Sequence, residues 1–130
     1  MKANIEIQTV AEARELMMGA DGFVMIGLDT CDPCRFVWDA LQKPRFARFG
    51  KRKIMLSGAN AEHRAYVREL KLQGFPSILL FERGVEQRRV AGAVQTENLD
   101  AIGGWLEWAF DLDGGAEGIE AVARAIGATV

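Results

Sequence analysis

One short run of residues, Phe23–Leu28, constrains the fold of this chain more than any other stretch. Apart from a single glycine, every residue in the run is a large apolar one. Six residues are too few for a stable helix, whereas a short continuous apolar run is typical of a strand that is buried on both faces. The chain therefore needs covering elements on both sides of the sheet that contains this strand.

Helical and strand patterns alternate along the rest of the chain. The predicted strands are residues 4–8, Phe23–Leu28, Lys53–Leu56, Ser77–Phe81 and Gln87–Ala91. The predicted helices run from Thr9 to Gly19, from Arg35 to Leu41, over 61–71 behind Asn60, and from a cap at Thr96 to Phe110. This alternation predicts an α/β protein with a largely parallel sheet covered on both faces. The closing hairpin, with Arg83 and Gly84 in its turn, makes the sheet mixed.

Size and charge exclude several classes of protein. The 130 residues suit one domain, and 49% hydrophobic residues at a net charge of −2 argue against intrinsic disorder. The net charge also argues against a general nucleic-acid binder. No apolar run approaches the ~18–20 residues that span a bilayer. The first twenty residues lack the apolar centre of a signal peptide, so we expect a cytoplasmic protein with neither nucleic acid nor membrane as a partner.

The chemistry-bearing motif is Cys31-Asp32-Pro33-Cys34, which lies between the buried strand and a helix. Cys31 is predicted at the N-cap of that helix and Cys34 at its third helical position. Pro33 has no amide hydrogen, so the Cys34 amide is the natural donor to the Cys31 sulfur. This hydrogen bond and the helix dipole both favour a thiolate. We therefore predict Cys31 as the attacking sulfur and Cys34 as the resolving one, close enough to form a disulfide.

Two other interpretations of the cysteine pair stay open at this point. The cysteines could be buried and inert, or they could form half of a zinc site. A structural zinc site needs two more ligands, almost always Cys or His, and the chain offers only His63, which we expect on a helix surface. We accordingly predict no metal and no cofactor.

A second motif, Gly74-Phe75-Pro76-Ser77, directly precedes an apolar strand about forty residues after the cysteine pair. The Cys-x-Pro-Cys motif follows the segment 24–30, a turn lies at Arg83-Gly84, and Gly92-Ala93 precedes the last helix. Together with the second motif, these features make residues 4–108 resemble the thioredoxin family. The resemblance implies a three-layer α/β/α sandwich with a mixed four- or five-stranded sheet. It also implies a cis peptide bond before Pro76.

The resemblance further implies dithiol–disulfide exchange on protein substrates. We expect a thioredoxin reductase as the electron donor and a monomer rather than a dimer. The catalytic residues would be Cys31 and Cys34. The residues expected to bind substrate are Thr30, Asp32, Pro33, Phe75, Pro76 and Gly92. The backbone of Phe75 would pair with the substrate chain.

The sequence departs from the thioredoxin pattern close to the cysteines. Thr30 replaces the Trp before the first Cys, and Asp32 replaces the Gly after it. Met25 replaces the buried Asp that serves as a proton relay, and the partner Lys of that relay matches Ser57 or a close neighbour. These losses keep a second class of function open, in which the fold is an adaptor or assembly chaperone with little or no redox turnover.

The last residues lie beyond the resemblance. We divide the chain into a thioredoxin-like domain, 1–110, and a tail, 111–130, whose stripe of Ile119, Val122 and Ile126 predicts a helix over 116–127. A helix this short needs contacts to hold it. We expect it to pack on the last long helix, where Trp105 and Trp108 cannot both face the core, or to form a dimer contact.

Overall fold

A computed structural model describes residues 7–92 and 96–112 of the chain. Helices and strands alternate over most of these residues. In chain order they are α1 (Val10–Met17), β1 (Gly22–Leu28), α2 (Asp32–Leu41), a 3-10 turn (Pro44–Phe46), β2 (Lys51–Leu56), α3 (Ala61–Leu70), β3 (Ser77–Glu82), β4 (Val85–Ala91) and α4 (Leu99–Ala109). The tail helix predicted over 116–127 lies outside the described residues.

The four described strands form one mixed sheet in the order β2-β1-β3-β4. β1 runs parallel to β2 and antiparallel to β3, and β3 pairs with β4 in an antiparallel hairpin. The predicted mixed α/β fold is therefore confirmed. The expectation of a largely parallel sheet is wrong, because among the described strands only β1 and β2 pair in parallel, and β3 enters beside β1 in the opposite direction. Most of the strand predicted over 4–8 lies outside the described residues, although the Gln8 amide donates to the carbonyl oxygen of Met55 at 3.0 Å, on β2.

Both faces of the sheet are covered, as the composition of β1 requires. Successive side chains of a strand point to opposite faces. Phe23 and Met25 pack on one side with residues of α2 and α4, while Val24 and Ile26 pack on the other side with residues of α1 and α3. The cysteine-bearing helix and α4 thus share one face of the sheet.

Short polar side chains fix where the helices begin. Thr9 and Glu12 form the predicted capping box, with hydrogen bonds in both directions at 2.9 and 3.0 Å. The cap predicted at Thr96 is wrong, because α4 is capped by Asn98, whose side-chain oxygen accepts from two amides of the first turn. The Thr96 hydroxyl instead accepts from the Asn98 amide and holds that residue in place.

Three further observations concern the hairpin turn, the two tryptophans of α4 and the hydropathy of the helices. The hairpin turn places Arg83 and Gly84 at φ 52° and 81°, and β4 begins directly after them at Val85 rather than at Gln87. On α4, Trp105 is 9% exposed and Trp108 is 45% exposed, so only one of the two faces the core, as predicted. Within the described ranges, no helix combines the length and the hydropathy needed to cross a membrane.

Candidate active site

The cysteine pair lies where β1 passes into α2. The Cys31 amide donates to the carbonyl oxygen of Leu28, which turns the chain at the end of the strand. Cys31 is the N-cap of α2, and its sulfur accepts a hydrogen bond from the Cys34 amide at 3.3 Å, as predicted. The two cysteines form a disulfide across 5.5 Å between their Cα atoms. The pair therefore has the spacing that dithiol–disulfide interconversion requires.

The two sulfurs differ in their access to solvent. Cys34 is 1% exposed and belongs to the core between the sheet, α2 and α4. Cys31 is half-buried and only packs against that core. Because an attacking thiol must reach its substrate, this asymmetry agrees with Cys31 as the nucleophile and Cys34 as the resolving residue.

The glycine in β1 makes room for the buried sulfur. A Cβ atom on Gly27 would lie 2.9 Å from the Cys34 sulfur and 3.0 Å from the Met55 sulfur. Cβ atoms essentially never approach other atoms this closely. The absence of a side chain at position 27 therefore lets α2 pack closely against β1, with the Cys34 side chain next to Gly27.

Two carboxylates flank the accessible cysteine, and they have different surroundings. Asp29 fastens the end of β1 to the end of β2, since its amide donates to Leu56 at 3.0 Å and its carboxylate accepts from the Gly58 amide at 3.4 Å. Asp32 is exposed in the first turn of α2. The helix N-terminus favours negative charge on the Cys31 sulfur, and the Asp32 carboxylate opposes it.

The second motif meets the cysteine pair at the same edge of the sheet. Ile26 pairs with Ser77 in the last pair of the ladder, which brings the end of β1 beside the residue after Pro76, and the Phe75–Pro76 peptide bond is cis. The Ser77 hydroxyl donates to the Gly74 carbonyl at 2.6 Å, which holds the turn before the strand.

The other residues expected to bind substrate come from this same edge. The Gly92 amide donates to the Pro76 carbonyl at 2.9 Å, which places the end of β4 beside the proline. Thr30, Asp32 and Pro33 are exposed, Phe75 and Gly92 are half-buried, and Pro76 is buried. The topology thus brings the six residues to one edge, and their part in substrate binding stays a prediction.

The residues at the two relay positions carry no charge. Met25 is fully buried in the core on the α2 side. The Ser57 amide donates to Nδ1 of His63 at 2.9 Å, and His63 is 5% exposed. The expectation that His63 lies on the surface is wrong, because its ring binds the end of β2. Asn60 caps α3 and so places His63 in the first turn of that helix. This position after the cap was the only sequence feature that indicated the contact of His63 with the end of β2.

Comparisons with known proteins support the fold. No family model and no curated protein sequence matches the chain. Among solved structures, mitochondrial thioredoxin 3 from Saccharomyces cerevisiae in its oxidized form matches with a TM-score of 0.53 and 20% identity, over 85% of this chain and 98% of that one. A mutant thioredoxin from Halobacterium salinarum NRC-1 matches with a TM-score of 0.51 and 20% identity, over 79% of this chain and 87% of that one.

The strand order, the helices on both faces and the disulfide at the helix start agree with these similarities. The resemblance noted in the sequence is thereby confirmed at the level of the fold. The chain has a thioredoxin fold, with a Cys-x-x-Cys disulfide at the beginning of α2.

Proposed function

We propose that this protein is a thiol–disulfide oxidoreductase that reduces disulfide bonds in other proteins. The observation that carries the proposal is the unequal environment of the two sulfurs. Cys31 is accessible, caps a helix and accepts an amide hydrogen bond, whereas Cys34 is buried one helical turn away. A dithiol with one reachable and one shielded sulfur is suited to transient covalent capture of a substrate followed by its release.

In the first step, the reduced protein presents Cys31 as a thiolate. Its sulfur attacks one sulfur of the substrate disulfide, the substrate S–S bond breaks, and the displaced substrate sulfur leaves as a thiolate that takes up a proton. The product is a mixed disulfide between Cys31 and the substrate. The positive end of α2 and the Cys34 amide, which donates to this sulfur in the disulfide form, stabilise the attacking anion.

In the second step, Cys34 resolves the mixed disulfide. The Cys34 thiol loses its proton, its sulfur attacks the Cys31 sulfur, and the second substrate sulfur departs and is protonated. The substrate has gained two electrons and two protons, and the protein holds the Cys31–Cys34 disulfide seen here. A disulfide reductase of the thioredoxin reductase class would supply the two electrons that, with two protons, restore the dithiol.

The setting of the reaction forms part of the proposal. A pair used to reduce disulfides needs a compartment that keeps thiols reduced, so we propose a cytoplasmic location. The mechanism also needs no second subunit, because Cys31 caps the helix that contains Cys34. We therefore propose that a monomer acts on its protein substrates.

An insulin-reduction assay with dithiothreitol tests the proposal, with Cys31→Ser as the inactive control. Acceleration of insulin precipitation that is lost in Cys31→Ser supports reductase activity. A folded protein that gives no acceleration would instead favour the adaptor or chaperone function. Cys34→Ser, which cannot resolve the mixed disulfide, should accumulate a covalent adduct that dithiothreitol releases. Identification of the trapped protein then names the substrate.

A further inference from the structure

A strongly basic segment of the chain has no part in the proposed chemistry. Residues 43–53 contain six Lys or Arg and no Asp or Glu. The whole chain has 16 basic and 18 acidic residues, so ten basic residues face eighteen acidic ones outside the segment. We propose that a surface formed by Lys43, Lys51 and Lys53, here called the basic face, docks an acidic polypeptide segment of a partner protein.

The fold gathers these three lysines on one side of the sheet. α2 starts at the carboxyl end of β1 and runs back over it, so Lys43 after its last turn lies near the start of the parallel strands. Lys51 pairs with Phe23 and Lys53 pairs with Met25, whose side chains both point toward α2. The Lys53 ammonium also lies 5.2 Å from the centre of the Trp38 ring, on the outside of α2.

The charge of the basic face is not cancelled by its surroundings. Among the residues that the structure describes, no carboxylate lies within 4.0 Å of the ammonium groups of Lys43, Lys51 or Lys53. Within the same ranges Asp39, one helical turn before Lys43, also forms no such pair. Arg45 is different, because it pairs with Glu107 at 3.4 Å. The three lysines are therefore available to carboxylates from outside.

Arg52 does not belong to the basic face. Its guanidinium donates to the carbonyl oxygen of Leu16 at 2.5 Å, on the α1 side of the sheet. A carbonyl leaves its charge in place, so Arg52 adds to the positive potential of the segment without adding to the contact surface.

An acidic polypeptide fits this surface better than a nucleic acid. Proteins that bind single strands need open aromatic rings on which bases stack. Here three aromatic rings already lie against cations of the chain itself, at 4.8 to 5.2 Å from the ring centres. The pairs are Arg35 with Phe36, Arg48 with Phe49, and Lys53 with Trp38. A long polyanion would also meet the acidic remainder of the molecule. Lysine ammonium groups on flexible stems suit single carboxylates of a short acidic segment.

Fluorescence anisotropy with a labelled peptide of alternating Glu and Ser, without cysteine, tests this inference independently of redox activity. The unmodified protein should bind the peptide at low salt and lose affinity as salt rises. The triple variant Lys43→Gln, Lys51→Gln, Lys53→Gln should weaken binding about tenfold, which corresponds to ~1.4 kcal/mol. A control variant removes the same charge from α3 and from the residue after it, by the substitutions Arg64→Gln, Arg68→Gln and Lys71→Gln. This control should change the affinity less than about twofold, a change no larger than the contribution of one exposed ion pair.

Three outcomes would overturn the inference. One is that the unmodified protein does not bind the peptide at low salt. Another is that the control triple weakens binding as much as the basic-face triple, which would mean that net charge alone governs association. The last is that a single-stranded DNA of equal charge binds as tightly as the peptide. Circular dichroism of both variants checks that the fold is kept, and the salt dependence of the unmodified protein needs no variant at all.

Discussion

Gly27→Ala tests the claim that the cysteine-bearing helix depends on a missing side chain in β1. The added methyl group would lie 2.9 Å from the Cys34 sulfur, 3.0 Å from the Met55 sulfur and 3.1 Å from the Cys34 Cβ. All three neighbours belong to residues buried in the core, so they have little room to give way. Overpacking of this kind costs about 1–3 kcal/mol. In a domain of this size we expect a fall in melting temperature of roughly 4 °C for each kcal/mol.

Urea denaturation of the oxidised protein measures the effect, and Gly58→Ala is the matched control. A Cβ at Gly58 meets no atom within 4 Å, so this variant should unfold at nearly the same urea concentration as the unmodified protein. Met55→Ala should absorb part of the clash, so that the double variant is less destabilised than the sum of the two single variants. If Gly27→Ala is as stable as Gly58→Ala, the packing argument for Cys34 fails.

Three further predictions concern the site and the charges of the chain. Alkylation of the reduced protein at neutral pH should label Cys31 before Cys34, as peptide mapping would show, and the reverse order would contradict the assignment of the nucleophile. Asp32→Asn should raise the reduction potential measured against glutathione by up to about 20 mV, since it removes a charge that opposes the Cys31 thiolate, and an unchanged potential would mean that solvent screens this carboxylate. The hydrogen bond from Arg14 at 2.6 Å lowers the pKa of Glu69 below its ordinary value of 4.5. The Arg14–Glu69 ion pair therefore contributes its full stabilisation above the ordinary pKa of 4.5, and this stabilisation is lost as pH falls through the folded-state pKa of Glu69. Glu69→Gln should accordingly lower the urea midpoint at pH 7 and have no effect near pH ~2.

Features decided by neighbours in the sequence could be predicted before the structure was known. The N-cap at Cys31 and the hydrogen bond from the Cys34 amide follow from a proline that cannot donate, which is a matter of four consecutive residues. The capping box of Thr9 and Glu12 is equally local. Burial of β1 on both faces also followed from one apolar run, because the run leaves no polar face to turn toward solvent.

Features decided by distant parts of the chain could not be predicted. His63 was expected on a helix surface, yet its ring accepts a hydrogen bond from the Ser57 amide, just after the end of β2. The close approach of Gly27 to Cys34 depends on how α2 lies across the sheet, which no pattern within either element specifies. The wrong cap for α4 has a similar cause, since Thr96 and Asn98 are both good capping residues and only the fold chooses between them.

The same packing makes the two halves of the proposed reaction unequal. Attack by Cys31 draws on a helix N-terminus and an amide hydrogen bond, both already in place. Resolution by Cys34 must remove a proton from a sulfur that lies in an apolar core with Met25 and Met55, and burial of this kind disfavours a thiolate. The thioredoxin family, which the sequence resembles, has a carboxylate at the position of Met25. Because methionine cannot accept a proton, the proton of the Cys34 thiol must pass to water or to the departing substrate sulfur. We therefore expect the removal of this proton, and not the approach of the two sulfurs, to limit the release of the substrate.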